Sequence, residues 1–297
     1  MTRADLRPSS AAMNAADHAI LLLSCADRKG VVAAVSGFVS DHNANIVSAD
    51  EYQDTDLDLY FLRLEWTLAE FDVDLSAFES AFGPIAREFA MTWRVARTSD
   101  RPRVAILVSK SGHCLADLLY RHQIGELPCE IRLVIGNHDD LRKITEFYGI
   151  AFHEVKASGD RAAAEKCMLS LLEPNKIQLV VLARYMQILS DDFVAHFPNA
   201  IINVHHSFLP AFIGAKPYHR SYERGVKLIG ATSHYVTADL DDGPIIEQDV
   251  VRVTHRDSLA TIIRKGGDAE RAVLTRAVRW HVENRIMVYG RKTVVFG

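Results

Sequence analysis

The chain has few cysteines, no basic run and no long uncharged apolar stretch, and each shortage removes a class of function. Cys25, Cys114, Cys129 and Cys167 stand far apart with no C-x-x-C pair, which argues against a zinc ribbon, a redox pair or a disulfide framework. They read as reduced thiols of a cytoplasmic enzyme. The 34 lysines and arginines, set against 38 acidic residues, are scattered, so the positive stripe that a nucleic acid requires is missing. No apolar run approaches the ~20 residues of a membrane helix, and the first residues lack the apolar core of a secretory signal. The histidines show no H-E-x-x-H spacing, and no metal is expected. What remains is the profile of a soluble enzyme acting on a small molecule, with length enough for two domains.

Two periodicities divide it. Residues 1–16 are expected to be a loose tail. HAILLLSCA is an apolar run of strand length that stops at the polar turn Asp27-Arg28-Lys29-Gly30. VVAAVSGFVSDHNA then repeats apolar residues at helical spacing through Val31, Val35, Phe38 and Val39. NIVSADEYQ and LDLYFLRLEW follow as strands, the second alternating Leu62, Leu64 and Trp66 with Arg63 and Glu65. DLSAFESAFGPIAREFA is helical again, and MTWRVAR closes as a strand. The order β-α-β-β-α-β predicts a ferredoxin-like unit over residues 17–97. Two helices cover one face of such a sheet, so a homo-oligomer is expected. TSDRPR marks a linker over residues 98–103. From residue 104 to 297, strands alternate with helices, which predicts an α/β domain with a doubly wound, mainly parallel sheet that binds its ligand beyond the C-terminal strand ends.

The strand AIINVHHS ends in the most polar cluster of the chain. Asn203 and His205 are two apart, so on a strand they share one side and His206 takes the other. A carboxamide donor and an imidazole at a strand end suit a developing oxyanion and its proton. Taken alone, the pair fits equally well a histidine satisfied by backbone groups. Farther on, HYVTADLDDGPIIEQ crowds Asp239, Asp241 and Asp242 into a loop before Gly243-Pro244. Such carboxylates are ordinary turn formers. One of them buried beside His205 would instead orient the ring and favour its protonated form.

Asn203-Val204-His205-His206-Ser207-Phe208-Leu209-Pro210 and Asp239-Leu240-Asp241-Asp242-Gly243-Pro244 resemble the two signature segments of the folate-dependent formyltransferase fold. The resemblance implies that Asn203, His205 and Asp241 form a catalytic trio. LARYMQIL, residues 182–189, is similar to the folate-binding strand and loop of that family. It implies a pterin pocket lined by Tyr185, Met186, Gln187 and Leu189, together with Thr237, Ala238 and Asp239. His234, Lys110 and His113 are candidates for supporting contacts. An ordinary surface lysine is as good a reading of Lys110, and a structural histidine the better reading of His234.

The N-terminal unit resembles an ACT domain, with Asp27, Arg28 and Gly30 at its first turn and Asn45 at its second strand. That implies an amino-acid effector, glycine or methionine, or else a dimerisation module with an empty site. An ACT unit ahead of a formyltransferase-like domain is the arrangement of the formyltetrahydrofolate deformylases, and HHSFLPAFIGAKPYHRSYERGVKLIGATSHYV is similar to that family. Related ribonucleotide-formylating enzymes hold a phosphate on a glycine-rich loop after the first strand. Here that segment reads Ser109-Lys110-Ser111-Gly112-His113-Cys114-Leu115, and His113 and Cys114 are expected to fill the phosphate's place. The resemblance therefore implies hydrolysis of 10-formyltetrahydrofolate to tetrahydrofolate and formate, with water as acceptor and no cofactor. It leaves open which group takes the water's proton, and whether the purpose is formate for purine synthesis or recycled tetrahydrofolate. Two other functions keep the same residues: formyl transfer to an amine, and an amino-acid-sensing folate-binding regulator.

Overall fold

The computed structural model describes residues 17–156, 159–210 and 217–297, and the tail expected over residues 1–16 lies outside them. The chain divides into two compact units, Met1–Ser99 and Asp100–Gly297. The first contains β1 (His18–Ala26), α1 (Val31–Asp41), β2 (Ile46–Asp54), β3 (Leu59–Thr67), α2 (Phe78–Glu88) and β4 (Thr92–Arg97). Its strands pair antiparallel in the order β2-β3-β1-β4, the split arrangement that the two periodicities predict. Leu21 and Leu23 of β1 and Leu62, Leu64 and Trp66 of β3 pack against Val35 and Phe38 of α1 and Phe78 and Phe82 of α2. The Phe38–Phe82 and Phe78–Phe82 ring centroids are both 5.3 Å apart, a spacing at which aromatic pairs add about 1 kcal/mol beyond their buried area. Gly30 closes the polar turn at φ 97° and caps α1, a backbone conformation that an L side chain resists.

The second unit runs β5 (Arg103–Val108), α3 (His113–Gln123), β6 (Glu130–Gly136), α4 (Arg142–Phe147), β7 (Ala151–Glu154), α5 (Arg161–Leu172) and β8 (Leu179–Ala183). It continues through α6 (Asp191–Ala195), β9 (Ile201–His205), α7 (Pro217–Arg224), β10 (Leu228–Tyr235), β11 (Ile245–Arg252) and α8 (Leu259–Val282), and ends in the hairpin β12 (Ile286–Tyr289) and β13 (Lys292–Val295). The large sheet has the order β11-β10-β9-β8-β5-β6-β7. Strands β5 to β9 are parallel, and β10 and β11 add antiparallel at one edge. Both faces are covered, so the parallel strands are apolar throughout. Val104, Ile106 and Val108 join a core with Leu115 of α3 and Val273 of α8, while Ala105 and Leu107 join one with Met168 and Leu172 of α5.

The sheet reverses its winding between β5 and β8, which are neighbours. Such a reversal opens a crevice at the carboxyl ends of the strands, because the two connections leave in opposite directions. The loops after β5 and β8 flank that crevice and are tied across it: Met186 N–H donates to Ser109 Oγ at 2.9 Å. Among the described residues no helix is long and apolar enough to cross a membrane.

Candidate active site

Strand register builds the first half of the site. β9 and β10 pair so that Asn203 stands opposite His234 and His205 opposite Thr232. The register of β10 with β11 shifts between Ser233 and His234, an irregularity of the kind that re-aims a side chain. Asn203 Nδ2 lies 3.3 Å from His234 Nε2. His234 Nδ1–H donates to the Tyr235 carbonyl at 2.9 Å, so the neutral ring accepts from Asn203 at Nε2. One of the two amide N–H groups is thereby used, and the other has no protein partner among the described residues.

The loop after β10 supplies the second half. Gly243 lies so close to β10 that a Cβ there would sit 1.8 Å from the Tyr235 carbonyl oxygen, so only glycine lets the chain return this tightly. Tyr235 N–H donates to the Pro244 carbonyl at 2.9 Å, and Asp241 adopts φ 55° at the tip. Its Oδ2 stands 3.2 Å from His205 Nδ1, and its Oδ1 stands 3.7 Å from His234 Nε2. The second distance is too long for a hydrogen bond. Burial alone would raise the Asp241 carboxyl, but the His205 imidazole outweighs it and holds it well below the usual carboxylate range. His205 is 6% exposed, and its Nε2 is buried without a partner among the described residues, as expected of a nitrogen reserved for a ligand oxygen. The C-terminal hairpin braces this loop: Arg291 forms an ion pair with Asp242, and Thr293 Oγ1 donates to the Ile245 carbonyl at 2.6 Å.

These groups line a cavity of about 350 Å³ whose other wall is the loop after β8, with Tyr185, Met186, Gln187 and Leu189. Thr237, Ala238 and Asp239 line it from the Asp241 side. The β8 loop is pinned along its length. Tyr185 OH contacts Met168 Sδ at 3.8 Å, and Ser190 donates to the buried Glu165 through its N–H at 2.7 Å and through its hydroxyl. Large apolar side chains remain in water around this cavity, namely Met186, Ile188 and Leu240.

A Formyl transferase family model matches residues 102–278, and an ACT domain model matches residues 19–65. The chain is 52% identical to a formyltetrahydrofolate deformylase of Bacillus subtilis (strain 168), covering 94% of each chain. It is 52% identical to a formyltetrahydrofolate deformylase of Synechocystis, covering 94% of this chain and 98% of the relative. A crystal structure of a formyltetrahydrofolate deformylase from Pseudomonas syringae pv. tomato matches with a TM-score of 0.93 at 46% identity, covering 96% of each. The chain belongs to the formyltetrahydrofolate deformylase family.

Beside the Asn203–His205–Asp241 cavity, this deformylase-family fold has a second cavity of about 500 Å³. The two share Arg184, Met186 and His206 as a common wall. His206 therefore departs from the strand alternation expected of it: β9 ends at His205, and past the strand end the ring turns back beside His205, centroids 5.2 Å apart. Burial, with Arg184 and His205 nearby, pushes the His206 imidazole down to about 4. Of the two residues expected at the phosphate's place, His113 lines the second cavity and Cys114 does not. Cys114 belongs to the apolar core, and His113 is seated on α8, its Nε2 2.7 Å from Glu270 Oε2.

Glu270 is the centre of that wall. It is 1% exposed, accepts from Tyr218 OH at 2.5 Å and pairs with Arg184 Nε at 3.4 Å. Burial would raise its carboxyl, but His113, Arg184 and Tyr218 together hold it below its ordinary value. The helix makes room with two glycines. A Cβ on Gly266 would overlap the Tyr218 ring at 2.2 Å, and Gly267 faces His113. His113, Cys114 and Glu270 bring potential ligand atoms within 4.8 Å of one another. The set suits a metal poorly, because Glu270 is already neutralised by Arg184 and burial keeps the Cys114 thiol protonated. Lys110 is exposed and lines neither cavity. Arg184, Tyr218 and Glu270 escape the sequence reading. An acid at apolar spacing with Leu274 and Ala277, one turn after a Gly-Gly pair, is the signal that could have found Glu270.

In the first unit, the turn residues are already engaged. Gln53 Nε2 donates to Asp27, and the Arg28 guanidinium lies 4.3 Å from the Phe89 ring centroid and donates to the Glu88 carbonyl at 3.1 Å. Asn45 is exposed, and its N–H donates to Thr67 Oγ1 at 3.3 Å.

Proposed function

We infer that the chain hydrolyses 10-formyltetrahydrofolate to tetrahydrofolate and formate, with Asn203, His205 and Asp241 as the reacting set. The reading is carried by the Asp241 carboxylate 3.2 Å from His205 Nδ1, on a cavity that also holds Asn203. It is supported by relatives named as deformylases and matched over nearly their whole length. The flat pterin fits between the β8 loop and residues 236–240, where it covers the exposed Met186, Ile188 and Leu240 while polar groups fix its edge. The formyl oxygen then meets the unused Asn203 N–H and the Nε2–H of a protonated His205. As water adds to the formyl carbon, charge develops on that oxygen, and donors already aimed at it contribute about 3 kcal/mol each. Asp241 holds the ring with Nδ1–H toward itself and stabilises the imidazolium. Collapse of the adduct breaks the C–N10 bond.

The deciding assay is formate release from 10-formyltetrahydrofolate with no amine present. Turnover equal to that with added amines supports the hydrolase; formate absent until an amine is supplied supports a transferase, the reading favoured by the roomy second cavity. In the ACT unit, Asp27, Arg28, Gly30 and Asn45 mark an amino-acid effector site for glycine or methionine, and its sheet mediates self-association. Calorimetry with single amino acids and sedimentation of the intact chain test these two points.

A further inference from the structure

In the proposed reaction the three residues hold the developing oxyanion and one another rather than the attacking water. Asp241 Oδ2 faces His205 Nδ1 at 3.2 Å. His205 presents Nε2–H as a donor in the step it assists, and Asn203 offers no base. Across the shared wall, Glu270 is occupied by Tyr218, His113 and Arg184. His206 is different. Its ring nitrogens make no hydrogen bond among the described residues, and the ring lies between the two cavities, with centroids 5.2 Å from His205 and 6.0 Å from Tyr218. The charged and titratable groups that bear on it are Arg184 and His205, with Glu270 and Asp241 beyond.

Resting on the hydrolase reading above, we propose that His206 is a further catalytic residue, which holds the attacking water and takes its proton, the water entering from the second cavity. The water oxygen bonds to the formyl carbon while the carbonyl electron pair moves to the oxygen held by Asn203 and His205. One water proton passes to His206. Collapse restores the carbonyl and breaks the C–N10 bond, and N10 receives that proton from His206. The other water proton leaves with formic acid and passes to solvent as formate forms. A neutral imidazole suits this shuttle because it begins unprotonated, and burial, with the Arg184 guanidinium nearby, keeps it so at neutral pH. The cluster on α8 serves the same step indirectly. It fixes Tyr218 and Arg184, the groups that stand against the His206 ring.

The test uses the intact chain with His206→Gln and His206→Ala, measuring formate release and binding of 5-formyltetrahydrofolate, whose formyl group is on the other nitrogen. His206→Gln is expected to lower kcat by about 10²–10³-fold, the usual worth of a positioned general base, with KM and 5-formyl isomer affinity little changed. Added imidazole is expected to restore His206→Ala in a saturable manner, rising with the fraction of unprotonated imidazole, and to leave Asp241→Asn unrescued. A kcat for His206→Gln within about fivefold of the parent overturns the proposal. So does a kcat loss in His206→Ala that imidazole cannot repair, which would make the ring a wall rather than a base. If the alanine variant does not fold, the glutamine variant decides by its kcat. A parent chain that releases no formate refutes the hydrolase reading itself, a result distinct from active parent and unaffected variants.

Discussion

Asp241→Asn isolates one charge while keeping the shape of the side chain. The carboxylate lies 3.2 Å from His205 Nδ1 and its side chain is 14% exposed, so solvent screens the pair only in part. At an effective dielectric of about 20, a full charge pair at that distance is worth roughly 5 kcal/mol. The amide retains a neutral hydrogen bond of about 1 kcal/mol, which leaves roughly 4 kcal/mol lost. At 1.36 kcal/mol per decade, that is about three orders of magnitude in rate. The loss should fall on kcat, because the charge matters most when the imidazolium meets the developing oxyanion, whereas the pterin contacts are untouched. Formate release under saturating substrate, beside equilibrium binding of 5-formyltetrahydrofolate, separates the two. A variant that keeps more than a tenth of parental kcat, or that loses folate affinity in proportion to rate, refutes the argument.

Asn203→Ala removes one oxyanion donor and should lower kcat by about 10²–10³-fold in the same assay. Gly266→Ala and Gly267→Ala form a matched pair in α8. The first drives a methyl into the Tyr218 ring at 2.2 Å and should destabilise by about 1–3 kcal/mol, while the second meets His113 at an ordinary 3.6 Å and should stabilise by up to about 1 kcal/mol through helix propensity. Urea unfolding reads both, and equal shifts would contradict the packing. Glu270→Gln strips a buried charge from Arg184 and His113 and should cost about 3 kcal/mol at neutral pH. Because the Glu270 carboxyl is held below its ordinary value of 4.5, its ion pair with Arg184 contributes fully above that pH and fades as pH falls through the lower folded value. The gap between parent and variant should therefore narrow below about pH 4.5, and a gap constant with pH would count against the pairing.

Much of the molecule was legible from local rules. The β-α-β-β-α-β order follows from the change between periods 2 and 3.6, as Leu62, Leu64 and Trp66 against Val31, Val35 and Phe38 illustrate. Asn203 and His205 were legible because strand alternation places both on one side. His206 was not, since alternation lapses where β9 ends, one residue earlier. The 35 residues between His205 and Asp241 carry no local pattern that says their ends meet, so that meeting was accessible only through resemblance, and the tight return at Gly243 explains it. Glu270 was not legible, since a charged residue in a helix is ordinarily solvated. Its burial depends on Tyr218, which arrives from a distant helix.

The hairpin β12–β13 has a practical bearing on how this catalytic unit can be cut. The stretch matched by the Formyl transferase model stops at residue 278 and contains every reacting side chain. Arg291 and Thr293, which fasten the segment 242–245, lie beyond it. A fragment trimmed at the matched boundary would keep Asp241 in its sequence yet leave the left-handed tip that carries it unsecured from outside. Domain swaps and minimal versions of this scaffold should therefore carry the chain through residue 297.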